Sequence, residues 1–155
     1  MADNIVEMLD EIEKEHEILR RRRDGVEDPR RISFGDSTYP TIVFEGVRVA
    51  FSTTPIFVYG DRVFVSDMPE KNTLTLAGIV TDEESRGKGL ASKILVYFLE
   101  MADKHGIKLL LEPCPIGGYK GKSYLERKAL TDWYKRHGFE QDQEGYDLVL
   151  AREPH

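Results

Sequence analysis

The residues of this chain that are best suited to chemistry lie in a glycine-rich stretch at 79–91, which reads IVTDEESRGKGLA. Gly87 and Gly89 allow the backbone to turn tightly and to approach a ligand closely. The stretch joins a predicted strand to a predicted helix, so its N–H groups would point outward at a helix N-terminus, where they suit a phosphate or pyrophosphate. Arg86 and Lys88 add positive charge. A plain strand-to-helix turn, with glycines present only for geometry, explains the same residues.

Two nucleotide-binding signatures do not fit this stretch. The dinucleotide-binding pattern G-x-G-x-x-G needs a third glycine, and Ser92 stands at that position. The Walker A pattern needs Ser or Thr after Gly87 and Lys88, and Gly89 stands there. The stretch is therefore a candidate phosphate site of another kind.

A second glycine-rich loop at 117–123, GGYKGKS, nearly matches Walker A. The spacing is wrong, because the pattern needs glycine five positions before Gly121, and Ile116 stands there. We expect a loop beside the substrate cleft, and a P-loop-like NTP-binding enzyme is the remote alternative. Cys114 has no partner visible in the sequence, and the four histidines are scattered, so no metal site is predicted.

Apolar spacing predicts a helix at the N-terminus. One face of it collects the side chains that recur at three- and four-residue steps: Ile5, Met8, Leu9, Ile12, His16 and Leu19. Acidic residues lead and the arginine run 20–23 follows, so the charges complement the helix dipole, and Gly25 ends the helix. We interpret His16 as a core or interface residue, and the arginine run as a dipole partner rather than a nucleic-acid patch.

The rest of the chain changes from short strands to alternating strands and helices. Antiparallel hairpins are predicted at 39–51 and 56–65, the second turning at Gly60 and Asp61. They are followed by a strand at 73–81, a helix at 89–105, a strand at 107–112, a helix at 124–137 and a terminal hairpin at 139–153. Strand, helix and strand in the middle predict a parallel crossover, and the fold class is mixed α/β.

Length and composition fit one domain, 1–155, with no internal repeat or linker. The net charge of -6 argues against a general nucleic-acid binder, and one cysteine excludes an intramolecular disulfide framework. No apolar run approaches the roughly 20 residues that span a bilayer, and no secretory signal is visible. We therefore expect a cytoplasmic protein without membrane or nucleic-acid partners.

Two motifs together resemble one family. The segment RGKGLA at 86–91 resembles the R/Q-x-x-G-x-G/A signature of the GNAT superfamily of acetyl-CoA-dependent N-acetyltransferases, and WYKRHGF at 133–139 is similar to the Φ-Tyr-x-x-x-Gly-Phe ending of that family's next helix. The match covers 73–139. It implies a GNAT-like three-layer fold whose mixed central sheet has antiparallel N-terminal strands and a parallel β-α-β core.

The resemblance also implies acetyl-CoA as co-substrate and no metal. The backbone N–H groups of a short run of residues would bind the pyrophosphate, with Arg86 shaping the loop: Gly87, Lys88, Gly89, Leu90 and Ala91. Ile79, Val80 and Thr81 would pair with the amides of pantetheine like an extra strand. This pairing requires the strands at 73–81 and 107–112 to part at their C-terminal ends.

The reaction that the resemblance implies is direct attack of a primary amine on the thioester carbonyl, with the acceptor unknown. The Val80 amide region would stabilise the oxyanion, and Tyr134 matches the family's general acid for the leaving thiolate. Tyr134 also lies on an apolar helix face, and a core residue with a satisfied hydroxyl explains it equally.

The general base is open, because the strand at 73–78 carries no carboxylate. Glu112 is the nearest candidate, Asp67 and Glu70 are others, and a water chain or a neutral amine needs no side chain. Arg127 stands where many family members carry Asn. The missing carboxylate keeps a non-catalytic acyl-CoA sensor or scaffold as the alternative function. The N-terminal helix and terminal hairpin are candidate homodimer surfaces.

Overall fold

The computed structural model describes residues 4–21, 24–34, 37–59, 62–85, 88–113, 124–143 and 146–155. The α-helices within these ranges are α1 (Asn4–Glu13), α2 (Leu90–His105) and α3 (Tyr124–Arg136). The strands are β1 (Glu17–Leu19), β2 (Ser33–Phe34), β3 (Ser37–Thr38), β4 (Thr41–Phe44), β5 (Val47–Ser52), β6 (Ile56–Tyr59), β7 (Arg62–Val65), β8 (Thr73–Thr81), β9 (Lys108–Leu111), β10 (Glu140–Gln143) and β11 (Tyr146–Arg152).

Seven of the strands form one mixed sheet in the order β1-β4-β5-β8-β9-β11-β10. Strands β1, β4, β5 and β8 pair antiparallel, and so do β9, β11 and β10. Strands β8 and β9 pair parallel, with Thr73 opposite Lys108 and Leu76 opposite Leu111, and α2 lies between them in the chain. The predicted mixed sheet with antiparallel N-terminal strands and a parallel β-α-β core is confirmed.

The sheet is covered on both faces, which gives three layers. Leu109 and Leu111 on one face join α1, α2 and α3 in the main core. Leu110 on the opposite face packs with Val149 and with Ile56 of the β6–β7 hairpin. The predicted hairpin is therefore present, but it forms a separate two-stranded sheet that covers the side of the main sheet opposite the helices.

The N-terminal helix is shorter than the sequence pattern predicts. It ends at Glu13, and the residues from Glu17 form β1, which pairs antiparallel with β4. Both Ile18 and Leu19 are buried there. Strand pairing with β4 therefore buries these apolar side chains, and the helix does not continue through them although their spacing is helical. Arg20 lies beyond the helix and pairs with Glu13 at 2.8 Å, so the predicted dipole role is wrong for this arginine.

The apolar face of α1 is used inside the chain. Its four buried residues, Ile5, Met8, Leu9 and Ile12, all belong to the main core. His16 follows the helix and packs against Phe44 and Tyr97, with ring centroids 4.5 and 5.6 Å away. Of the two interpretations of His16, packing within the chain is the one observed. The apolar stripe of α1, which was expected to form a dimer surface, is used in the core of the same chain. Homodimer formation stays a prediction.

The glycines predicted at the ends of α2 and α3 hold those positions. Gly106 caps α2 at its C-terminus with φ 68°, and its N–H bonds the carbonyls of Ala102 and Asp103. Gly138 follows α3 with φ 95°. Left-handed φ values strain residues with a side chain, so glycine ends these helices. No helix among the described residues combines the length and the apolar character that a bilayer crossing needs.

A partly buried ion pair ties the last strand to α2. Arg152 of β11 donates two hydrogen bonds to the Asp103 carboxylate, at 2.7 and 3.0 Å, and the His155 N–H donates a third at 3.0 Å. The side chain of Arg152 is only 8% exposed. The Arg152 hydrogen bonds, and to a lesser degree that of His155, hold the pKa of Asp103 below its ordinary value, against the opposing effect of burial.

We expect Asp103→Asn to lower the free energy of unfolding by about 2 kcal/mol at pH 7, because a buried guanidinium loses its counter-charge. A lowered carboxyl pKa stabilises the fold above the unfolded-state pKa and stops doing so as pH falls through the folded value. The difference between wild type and variant should therefore be constant near neutrality and shrink below about pH 4. Urea unfolding at several pH values measures it.

The matched control for this prediction is Glu13→Gln, which removes the exposed partner of Arg20. We expect that change to be within about 0.5 kcal/mol of wild type, because exposed ion pairs contribute little. Equal effects of the two variants would contradict the structural role of the Asp103–Arg152 pair.

Candidate functional site

The site begins where strands β8 and β9 part. Their parallel register ends at Leu76 opposite Leu111, whereas β8 continues to Thr81 with β5 alone on its other side. A register shift between Leu76 and Gly78 marks a bulge at Ala77, and bulges bend a strand and redirect its edge. The edge of 77–80 that faces away from β5 is not paired with any described strand, so its backbone donors and acceptors can pair with a ligand.

The N-terminus of α2 lies just after this open edge. Gly89 precedes the helix with φ 73°, and no side chain caps it. The first intrahelical bond runs from Lys93 N–H to the Gly89 carbonyl, so the N–H groups of the first turn have no acceptor within the helix. No acidic residue stands in that turn, and Lys88 is exposed beside it. This arrangement favours an anion.

A cavity of about 170 Å³ joins the two features. Its walls come from the end of β8, the 3-10 turn Glu83–Ser85, the start of α2 and the side of α3: Thr81, Ser85, Gly89, Leu90, Ala91, Ser92 and Trp133. Four of the predicted cofactor-binding residues are thus brought together. Ile79 and Val80 lie immediately before the cavity on β8. Arg86 and Gly87 lie outside the described residues, as do Cys114 and the loop 117–123.

The β4–β5 hairpin supports one wall of the cavity. Gly46 in its turn has φ 77°, and its carbonyl accepts a hydrogen bond from Asp82 N–H at 2.9 Å. A Cβ at this position would come within 2.6 Å of Ser85 Oγ and 3.1 Å of Leu90. Both neighbours line the cavity. Because Gly46 has no side chain, Ser85 and Leu90 can occupy their observed positions in the cavity wall.

Three residues of the cavity wall are not among those predicted from the sequence, namely Ser85, Ser92 and Trp133, and Trp133 is the largest of them. It lines the cavity, and its indole N–H donates to Ser92 Oγ at 3.2 Å, which joins α3 to α2. The sequence named Trp133 only as the apolar position before the motif tyrosine. The available signal was that this position holds the one tryptophan of the chain, a large side chain whose N–H seeks a partner when buried.

Tyr134 belongs to the main core and does not line the described cavity. It is 4% exposed and packs against Trp133 and Phe139, with ring centroids 4.9 and 5.6 Å away. This placement fits the core interpretation, and it also places the phenol directly beside a cavity wall. The acid role predicted for Tyr134 stays a prediction.

The candidate bases lie at different ends of β8. Glu112 directly follows β9, next to the point where β8 and β9 part. Glu70 lies at the opposite end of β8, since its carbonyl accepts from Thr73 N–H at 3.2 Å, and Asp67 lies in the same preceding loop. The nine residues of β8 put about 26 Å between Thr73 and Thr81, so Glu112 is better placed than Glu70 for the parted edge.

Comparisons with known proteins find similar folds. No family model and no curated protein matches the chain. Among solved structures, the GNAT-family N-acetyltransferase YhbS of Escherichia coli, in complex with CoA, is 16% identical over 97% of this chain and 67% of its own, with a TM-score of 0.43. The histone acetyltransferase HPA2 and related acetyltransferase of Corynebacterium glutamicum is 17% identical over 97% and 74%, with a TM-score of 0.44.

A mutant of the AtaT toxin, bound to the C-terminus of the antitoxin AtaR and acetyl-CoA, is 13% identical over 74% of this chain, with a TM-score of 0.43. The chain spans 60% of the length of that protein. At these identities and TM-scores, the likeness says nothing about substrate or activity, and the site must be judged on its own geometry.

We expect Gly46→Ala to raise the dissociation constant for acetyl-CoA about tenfold, because the new Cβ displaces Ser85 and also strains a left-handed turn. Gly25→Ala is the matched control, since Gly25 has φ 76° but a Cβ there meets nothing within 4 Å. It should cost about 1 kcal/mol of stability and leave the dissociation constant unchanged. Calorimetric titration with acetyl-CoA measures the dissociation constant of both variants. Equal affinity of the two variants would disprove the supporting role of Gly46.

Proposed function

We propose that the chain is an N-acetyltransferase that moves an acetyl group from acetyl-CoA to a primary amine. One observation carries the proposal: a cavity lies where the end of β8 meets a helix N-terminus that no side chain caps. The two halves of coenzyme A need these two environments, because its pyrophosphate is an anion and its pantetheine arm carries two amides. The resemblance of 86–91 and 133–139 to the family motifs points to the same cofactor.

The cofactor would run backwards along β8. Amides at the start of α2, from Gly89 through Ala91, would bind the pyrophosphate, with Lys88 nearby as a positive charge. Pantetheine would then lie along β8 from Thr81 back to Ala77, a distance of about 13 Å. Its thioester would reach the point where β9 leaves β8, beside Ala77 and Glu112.

The reaction proceeds by addition and elimination at the thioester carbonyl. The acceptor amine attacks the carbonyl carbon, and a new C–N bond forms while the oxygen gains negative charge. The C–S bond then breaks, and the thiolate takes a proton to leave as the free thiol of CoA. A base removes one proton from the nitrogen, so that a neutral amide results. Backbone N–H groups of 77–81 supply the donors for the oxyanion.

Tyr134 supplies the proton to the thiolate in this proposal, and Glu112 accepts the amine proton directly or through water. The support for Tyr134 is its match to the tyrosine of the family motif at 133–139, and the support for Glu112 is its place at the parting of the strands. The acceptor is an amine-bearing small molecule or protein.

The activity assay measures the free thiol that is released when the protein is mixed with acetyl-CoA and a panel of primary amines and peptides. Thiol release that depends on both substrates supports the transferase. A protein that binds acetyl-CoA but releases no thiol with any member of the panel would instead be an acyl-CoA sensor or scaffold. The burial of Tyr134 in the core, away from the lining of the described cavity, favours that second candidate.

We expect Tyr134→Phe to lower turnover at least about tenfold while the dissociation constant for acetyl-CoA changes little, because the change removes a proton donor and keeps the packing. Steady-state kinetics with the best acceptor of the panel, together with calorimetry, measure both quantities. Tyr97→Phe, the same change on α2, is the control and should keep full turnover. Unchanged turnover in Tyr134→Phe would remove Tyr134 from the mechanism.

A further inference from the structure

The indole N–H of Trp133 on α3 donates to Ser92 Oγ on α2 at 3.2 Å, and this side-chain hydrogen bond joins the two helices. Both residues line the cavity. Trp133 also packs its ring against Tyr134 and against His137, with centroids 4.9 and 5.2 Å away. One indole therefore touches the cavity, the start of α2 and the neighbour to which the acid role is assigned.

The chemistry of the pair fixes which way the Ser92 hydroxyl works. An indole N–H is a donor and has no acceptor atom, so Ser92 Oγ must accept the bond from Trp133. The hydroxyl proton of Ser92 is then left to be donated elsewhere. Within the described part of the chain, the bond from Trp133 is the one that this hydroxyl makes. Since Ser92 lies on the cavity wall, an oxygen of a ligand bound there would be an acceptor for the proton, in competition with the carbonyls of the preceding turn.

We propose that Trp133 is a positioning residue of the acyl-CoA site, which holds the Ser92 hydroxyl so that it donates to a phosphate oxygen of the cofactor. This inference rests on the proposed function. Ser92 is the third residue of α2, so its hydroxyl would act together with the free N–H groups of the same turn. A serine free to rotate would share its proton between the ligand and the helix carbonyls, and the indole bond restricts that choice.

The alternative is that Trp133 only fills space between α2 and α3, because it is also packed against the main core. The two roles respond differently to Trp133→Phe. Phenylalanine keeps an aromatic ring in the wall and loses the N–H, so a space-filling role survives the change and a positioning role does not.

We expect Trp133→Phe to weaken acetyl-CoA binding about fivefold to tenfold, with a matching rise in KM and little change in kcat. Ser92→Ala should cause a similar loss, and Ser92→Thr, which retains a hydroxyl, should bind within about twofold of wild type. Since the two residues act through one interaction, the double variant should be no worse than either single variant. Binding of S-acetylpantetheine, which lacks the pyrophosphate, should be the same in all these proteins.

Calorimetry with acetyl-CoA and S-acetylpantetheine measures all four variants, and a thermal melt establishes that each is folded. Additive losses, unchanged acetyl-CoA affinity in Trp133→Phe, or an equal loss for S-acetylpantetheine would each overturn the proposal. If Trp133→Phe fails to fold, the comparison of Ser92→Ala with Ser92→Thr decides the question. If the wild-type protein binds acetyl-CoA and the variants bind it with the same affinity, only this inference is refuted. If the wild-type protein does not bind acetyl-CoA, the proposed function is refuted as well.

Discussion

The parting of two parallel strands at Leu76 and Leu111 is the constraint on which the site depends. Up to that pair, β8 and β9 satisfy each other's backbone groups. Beyond it, β8 continues for five more residues with a partner on one side only. Backbone groups that leave water need hydrogen-bond partners, so the edge of 77–80 is suited to a ligand that carries its own donors and acceptors. The bulge at Ala77 turns the strand where the pairing ends.

The surrounding layers hold this edge in place from both faces. Helices α1 and α2 pack on one face of the sheet, and the β6–β7 hairpin covers Leu110 and Val149 on the other. The Asp103–Arg152 pair fastens α2 to the last strand at the end of the helix away from the cavity. The turn at Gly46 holds Ser85 and Leu90 at the cavity end. The N-terminus of α2 is therefore fixed relative to the open edge, which is what one ligand spanning both requires.

Much of the fold could be predicted from the sequence because local signals and the final pairing agree. The strand at 73–81 is rich in apolar residues, and the helix that follows combines apolar periodicity with a C-terminal glycine, Gly106. Both elements are observed where expected. The sequence predicts too long an N-terminal helix, because His16 and Leu19 continue the helical spacing. In the structure, Ile18 and Leu19 are buried by pairing with β4 instead. Pairing between segments more than 20 residues apart is not visible in a local pattern.

In the candidate site, too, local features could be predicted from the sequence, whereas contacts between distant residues could not. Gly89 and the helix that follows it are local features, so the turn that precedes α2 could be predicted from the sequence alone. The contribution of Trp133 could not, because its bond to Ser92 joins residues 41 positions apart. The support that Gly46 gives to Ser85 likewise depends on the fold of the sheet. Sequence motifs thus identify the part of the site made within one turn, and the structure adds the walls.

Hydrogen exchange of the backbone amides, measured with and without acetyl-CoA, reports on the groups that are proposed to bind the cofactor. We expect acetyl-CoA to slow exchange in peptides covering 77–81 and 89–92, and ATP with Mg²⁺ not to do so. We expect little change in peptides from the β6–β7 hairpin. Protection by ATP instead, or protection by acetyl-CoA that leaves both 77–81 and 89–92 unchanged, would contradict the proposed binding site.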